Sequence, residues 1–199
     1  MNLRETIIFE SMKLFSLKGF MSTSINDILE ACKTSKGGFY NHFSSKEELF
    51  LTVLAEAQLI WRDRVLYGLN DINKPTDKII KLLENYRDRY LQDSDNFPGG
   101  CFFVALSVEL DDIRPELVQE VNKGFVGLKR MLKRLLEEGK ESGELSQGVD
   151  TNRTTELIFS GMIGSSVLFG VEKSTDTLDR SLNALIDYLT ELRKQSVPG

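Results

Sequence analysis

The residues whose types and spacing suit chemistry fall in one short stretch of this chain. Between Lys33 and Lys46 stand three lysines, the only histidine and no carboxylate, although the whole chain carries 25 basic against 30 acidic residues. Lys36 leads a short segment, Lys36-Gly37-Gly38-Phe39-Tyr40-Asn41-His42, that reads as a helix, and helix N-termini bind phosphate. Gly37 and Gly38 each cost roughly 1 kcal/mol of helix propensity against alanine. Their use would be close approach of the backbone to a phosphate or a base edge. Tyr40, Asn41 and His42 place polar tips at the other end. Thr23, Ser24 and Ser35 carry hydroxyls that can donate to phosphate oxygens, and Lys46 stands at another helix N-terminus. Contacts of this kind fix position on a nucleic acid, while base edges carry the sequence information.

The charge distribution agrees with a local polyanion-binding unit. Residues 1–50 hold six basic and six acidic residues, and the remainder holds 19 against 24. The net charge of −5 argues against a chain that coats nucleic acid along its whole surface. At 41% apolar and 28% charged residues, a disordered chain is excluded. Cys32 and Cys101 stand far apart in no metal-like spacing, and His42 has no partner ligands, so neither a metal nor a cofactor is expected. No paired-carboxylate site, Ser/His/Asp set or phosphate-cradling loop can be placed, so the chain does not read as an enzyme. The start, Met1 to Glu5, lacks the apolar run of a secretory leader. The longest uncharged run, Leu157 to Val171, is broken by Gly161, Gly164, Ser165 and Ser166 and falls short of the about 20 apolar residues a span needs. A reduced cytoplasmic protein without a membrane partner is expected.

Helical periodicity runs from end to end. Leu3, Ile7, Ser11, Leu14 and Phe15 share a face that stops at Gly19. Ser24 with Asp27 makes a capping-box pattern, repeated at Ser44 to Glu48. Phe50, Val53, Leu54, Ala57, Trp61 and Val65 mark a long helix, and Ile79, Leu83, Tyr86 and Tyr90 the next. A short apolar helix spans 101–110, and Pro115 suits the first turn of another. Two more are expected near 151–171 and 175–194. No strand alternation or hairpin signal is present. The expectation is an all-α chain of about nine helices. A helix-turn-helix domain would span 1–46, a helical ligand-binding and dimerisation domain 47–195, and a tail 196–199.

Residues 24–42, preceded by the helix from Leu3, have the layout of a helix-turn-helix, whose second helix enters the major groove. Gly19-Phe20, Thr23-Ser24-Ile25-x-Asp27-Ile28 and Ser35 to Phe43 followed by Lys46-Glu47-Glu48-Leu49 resemble the N-terminal domain of the TetR family of bacterial transcriptional regulators. The resemblance covers about residues 3–53. It implies a homodimer that binds a palindromic double-stranded DNA operator and is released by a small-molecule inducer, most simply a repressor. By position, Lys36, Gly37 and Asn41 would lie nearest the bases, and Thr23, Ser24, Ser35, Tyr40, His42 and Lys46 on the DNA backbone. The family commonly has Gly-Val where this chain has Lys33-Thr34. If the turn needs a positive φ, Lys33 is strained there.

Outside that motif the residues leave alternatives open. Trp61, Tyr86, Tyr90, Phe102, Phe103, Phe125 and Phe159 are core aromatics, some of which would line an interhelical ligand cavity. Cys101, at the start of a helix, is either a small buried residue or a reactive thiol. The second option would make the protein a redox or electrophile sensor of the same fold. Leu178, Leu182, Leu185, Leu189 and Leu192, spaced 4, 3, 4, 3, form a seam that wants a facing helix. Packing within the same chain is one reading; the expectation is a dimer interface, in which two such helices per subunit make a four-helix bundle, as the family resemblance also implies. A helical ligand-binding protein without specific DNA binding is the remaining alternative.

Overall fold

Helix boundaries follow the capping chemistry written in the chain. The computed structural model describes residues 1–194, and among them nine α-helices and no strand. They are α1 (Leu3–Lys18), α2 (Ile25–Ala31), α3 (Lys36–Tyr40), α4 (Lys46–Val65), α5 (Pro75–Asn85), α6 (Phe102–Leu110), α7 (Pro115–Glu141), α8 (Thr151–Glu172) and α9 (Thr175–Lys194). Asn2 and Glu5 close a capping box on α1, and Ser24 and Asp27 another on α2. Ser35 caps α3 by accepting from the Gly38 N–H at 3.2 Å. Ser45 accepts from the Glu48 N–H at 3.1 Å at the start of α4. Pro75 and Pro115 open α5 and α7, where a missing N–H costs nothing. The expected helix through Tyr90 instead widens after Asn85 into a π turn, Tyr86–Tyr90, whose two tyrosine rings stack 5.6 Å apart.

The chain divides into two compact units. The first comprises residues 1–61 and 93–123, and the second residues 62–92 and 124 onward. The boundary expected after residue 46 falls inside the first unit. In the first unit the first turns of α4 complete the core of the three N-terminal helices. Leu49, Phe50 and Val53 are fully buried, and the Phe50 ring lies 4.8 Å from Phe20 and 6.1 Å from Phe15. Cutting at 46 would expose these rings, at about 1.5–3 kcal/mol for each large apolar side chain. Residues 93–123 belong to the same unit: the Gly99 N–H donates to Ser16 Oγ at 2.9 Å, and Arg114 pairs with Glu47 at 3.1 Å. The expected tail, 196–199, lies outside the described residues.

In the second unit α8 packs on α9, and α9 on α5. Gly161 lets α9 approach α8 closely, since a Cβ there would lie 2.8 Å from Leu185 Cδ2. Asn85, almost fully buried, donates to the carbonyls of Val65 and Tyr67 at 3.1 and 2.8 Å. This caps residues that the end of α4 would otherwise leave unpaired. Arg193 of α9 pairs with Asp77 of α5 at 2.5 Å. By length and composition α8 could also cross a membrane. Its buried residues, Ile158, Met162, Ser165 and Ser166 among them, are spent inside this unit instead.

Candidate nucleic-acid interface

The helix-turn-helix is built by an aromatic core that pushes one polar face outward. Phe39 and Phe43 are buried to within 1%, with ring centroids 5.9 Å apart. Turning these two inward leaves Ser35, Lys36, Gly37, Tyr40, Asn41 and His42 exposed. Tyr40 is 51% exposed while its ring meets Phe39 edge-on at 5.2 Å, so the hydroxyl is presented and the ring is anchored. Ser24 is exposed as well, with its Oγ engaged in the α2 capping box. The two glycines of α3 separate in role. A Cβ on Gly38 would collide with Thr34 Oγ1, so a side chain there requires the Thr34 side chain to move. Gly37 faces open space apart from Ser35 Oγ at 3.8 Å, and nothing inside the protein requires it. Its bare backbone is available to a partner.

Two of the expected phosphate contacts are corrected. Thr23 is fully buried, and its hydroxyl donates to the Gly19 carbonyl at 2.6 Å. Lys46 folds back on the turn between α1 and α2: its Nζ donates to the carbonyls of Phe20 at 2.9 Å and Thr23 at 2.8 Å, and lies 4.3 Å from the Phe20 ring centroid. Burial lowers its pKa from the ordinary lysine value. Both residues hold the turn, because in an uncapped tight turn carbonyls and hydroxyls find each other before they find a ligand. The turn before α3 does require a left-handed residue. Lys33 sits at φ 51° and is exposed, a second exposed lysine on this stretch with Lys36.

The sequence reading missed Glu109 and Arg114, which reach the N-terminal helices from far along the chain. Glu109 accepts from the N–H groups of Phe20 and Met21 at 2.8 and 2.9 Å. Arg114 lies 5.8 Å from the Phe20 ring and bonds Glu47. No local signal marks either residue, since each acts across more than 60 positions.

The remaining candidates divide between the two units. Trp61, Phe102 and Phe103 lie in the first unit, and Tyr86, Tyr90, Phe125 and Phe159 in the second. Phe102 and Phe103 pair edge-on at 5.7 Å, and Phe125 and Phe159 at 5.5 Å. A groove of about 640 Å³ in the second unit is lined by other residues, Asp150, Arg153, Thr154, Leu157, Tyr188 and Leu192 among them. Cys101 is the N-cap residue of α6 and 9% exposed. Of the leucine seam, Leu178, Leu182 and Leu189 are fully buried within the single chain, and Leu185 packs on Gly161. Buried in this way, Leu178, Leu182 and Leu189 offer no surface to a second copy, and α8 and α5 of the same chain pack on α9. Leu192 is half-buried beside the groove. On α8, Leu157, Val167, Leu168 and Val171 are exposed.

Comparison with known proteins agrees with this geometry. Residues 7–53 match the family described as bacterial regulatory proteins, tetR family, and residues 75–185 match the tetracyclin repressor-like C-terminal domain. A crystal structure of a TetR transcriptional regulator from Chloroflexus aurantiacus J-10-FL superposes with a TM-score of 0.87. It is 30% identical, and 94% of each chain is covered. The HTH-type transcriptional repressor DhaR of Mycobacterium sp. (strain GP1) is 24% identical over 186 residues, 94% of this chain and 91% of that protein. The repressor NemR of Escherichia coli K12 is 24% identical over 188 residues, 90% and 89% of the two chains. With the N-terminal and the C-terminal helices both matched, the chain belongs to the TetR family of bacterial transcriptional regulators.

Proposed function

We propose that this protein is a ligand-responsive repressor that binds a palindromic operator as a homodimer and is released by a small-molecule inducer. One observation carries the DNA-binding half. The outer face of α3 and its flanks presents Ser35, Lys36, Gly37, Tyr40, Asn41 and His42 to solvent, with no carboxylate between Lys33 and Lys46. Lys36, Gly37 and Asn41 are assigned to base edges, and Ser24, Ser35, Tyr40 and His42 to the phosphate backbone. Thr23 and Lys46 leave that set and support it from behind. The relatives' description as repressors supports repression over activation, and such a protein acts in the cytoplasm.

Dimerisation is assigned to the exposed stripe of α8: Leu157, Gly164, Leu168 and Val171 recur at helical spacing, flanked by Val167. Small and apolar residues on one exposed face suit close helix packing against a second copy. An inducer needs only to favour the state that does not fit the operator. A thousandfold preference corresponds to about 4 kcal/mol. The Cys101 thiol, at the start of α6, is the candidate for an oxidant or electrophile as inducing signal. Release by oxidants that persists in Cys101→Ser removes it.

The test is selection of bound duplexes from random DNA by the purified protein. An inverted repeat is expected, with half-sites about one helical turn apart. Recovery of no preferred sequence overturns the proposal and returns the chain to a ligand-binding protein without an operator.

A further inference from the structure

The backbone of Phe20 is held on both sides by charge of the matching sign. Its N–H and that of Met21 donate to the Glu109 carboxylate on α6. Its C=O accepts from the Lys46 ammonium on α4, which also holds the Thr23 carbonyl. Gly19 makes room for the carboxylate: it sits at φ 83°, and a Cβ there would collide with the Glu109 head group. The carboxylate occupies the space that a side chain at position 19 would fill. From Thr23 the chain runs directly into α2, the turn at Lys33 and α3, so an error in the pose of 19–23 is carried to every residue assigned to DNA.

We infer that Glu109 is a positioning residue for DNA binding: from α6 it fixes the turn between α1 and α2, and so sets how well α3 fits an operator, while touching no nucleic acid itself. The inference rests on the DNA-binding reading above. Position and charge make opposite forecasts for its removal. Taking a carboxylate away from a unit that approaches a polyanion should, by charge alone, tighten binding. Loss of the turn's support should weaken it.

The experiment compares wild type, Glu109→Gln and Glu109→Asp on two duplexes: the sequence recovered by selection with the wild-type protein, and a random duplex of equal length. Glutamine keeps one acceptor without the charge, and aspartate keeps the charge on a stem too short to reach both amides. Glu109→Gln is expected to bind the selected duplex about tenfold to a hundredfold more weakly, the range of one charged hydrogen bond. Glu109→Asp should fall between the two. The dependence of log K on log salt should keep the wild-type slope, since no phosphate contact is lost. Hydrogen exchange at the Phe20 and Met21 amides, read without DNA, should accelerate in both variants. Wild-type affinity and unchanged protection in Glu109→Gln would overturn the inference, and so would a reduced salt slope. If the wild-type protein itself selects no duplex, the DNA-binding reading fails first, and Glu109 is left as a support of the turn only if the amides still lose protection.

Discussion

Lys46 separates what residue type suggests from what the folded chain does. As a lysine at a helix N-terminus next to the DNA-binding helices, it suits a phosphate contact. In the structure its ammonium is committed to the carbonyls of Phe20 and Thr23, at 2.9 and 2.8 Å, over the Phe20 ring. Hydrogen bonds to a charged group contribute about 1.5–3 kcal/mol each. Lys46 is half-buried, so solvent screening discounts that sum. Lys46→Ala is therefore expected to destabilise the protein by about 2–3 kcal/mol. For a chain of this length that lowers the thermal midpoint by roughly 4–12 °C. Two assays are needed together: thermal unfolding, and operator affinity as a function of salt. Each phosphate contact contributes about 0.9 to the slope of log K against log salt. The variant should lose stability and affinity while keeping the wild-type slope. A dimer that keeps its thermal midpoint but loses about 1.8 from the slope would refute the reasoning and return Lys46 to the phosphate backbone.

Four further outcomes follow from the same geometry. Lys36→Ala should leave unfolding unchanged and weaken the operator complex by about 1–3 kcal/mol if Lys36 touches a base; equal loss on a random duplex would assign it to phosphate. Gly99→Ala drives a Cβ into the Ser16 carbonyl and should cost about 1–3 kcal/mol in urea unfolding, so a neutral substitution would mean residues 93–100 do not pack on α1 as described. Leu168→Glu, on the exposed stripe of α8, should yield a folded monomer by sedimentation, whereas Leu182→Ala, in the buried seam, should cost about 2–5 kcal/mol and leave the dimer intact; the reverse pattern would restore the seam as the interface. Asp27 has its pKa lowered to about 2 by hydrogen bonds from the Ser24 side chain and N–H. Because its folded pKa lies below the unfolded value of about 3.9, the stabilisation is complete above about pH 4 and is lost as pH falls through about 2. Thermal midpoints of Asp27→Asn should be flatter than wild type across that window, and parallel curves would remove the capping box as the cause.

What the chain determined by itself is local. Ser24 and Asp27, Pro75 and Pro115, and the helical periodicity placed helix starts within a residue or two, because capping and φ restriction act over three or four positions. The outward face of α3 was legible for the same reason: in a helix of five residues, Phe39 turned inward, with Phe43 just beyond the end, leaves Lys36, Gly37 and Tyr40 to face out. The Lys33 strain was readable as well, since one residue's φ decides it.

Tertiary structure decided everything that depended on which distant group arrived first. Thr23 and Lys46 looked like DNA contacts until the Gly19, Phe20 and Thr23 carbonyls claimed them. The leucine seam of α9 was read as a dimer interface, but a 4, 3, 4, 3 spacing specifies a partner helix and not whose. Glu109 carried no signal at all, because an acceptor's role is set by the donors it meets, and those lie 88 and 89 residues away along the chain. Periodicity encodes which face of an element is apolar; only packing assigns each face its neighbour.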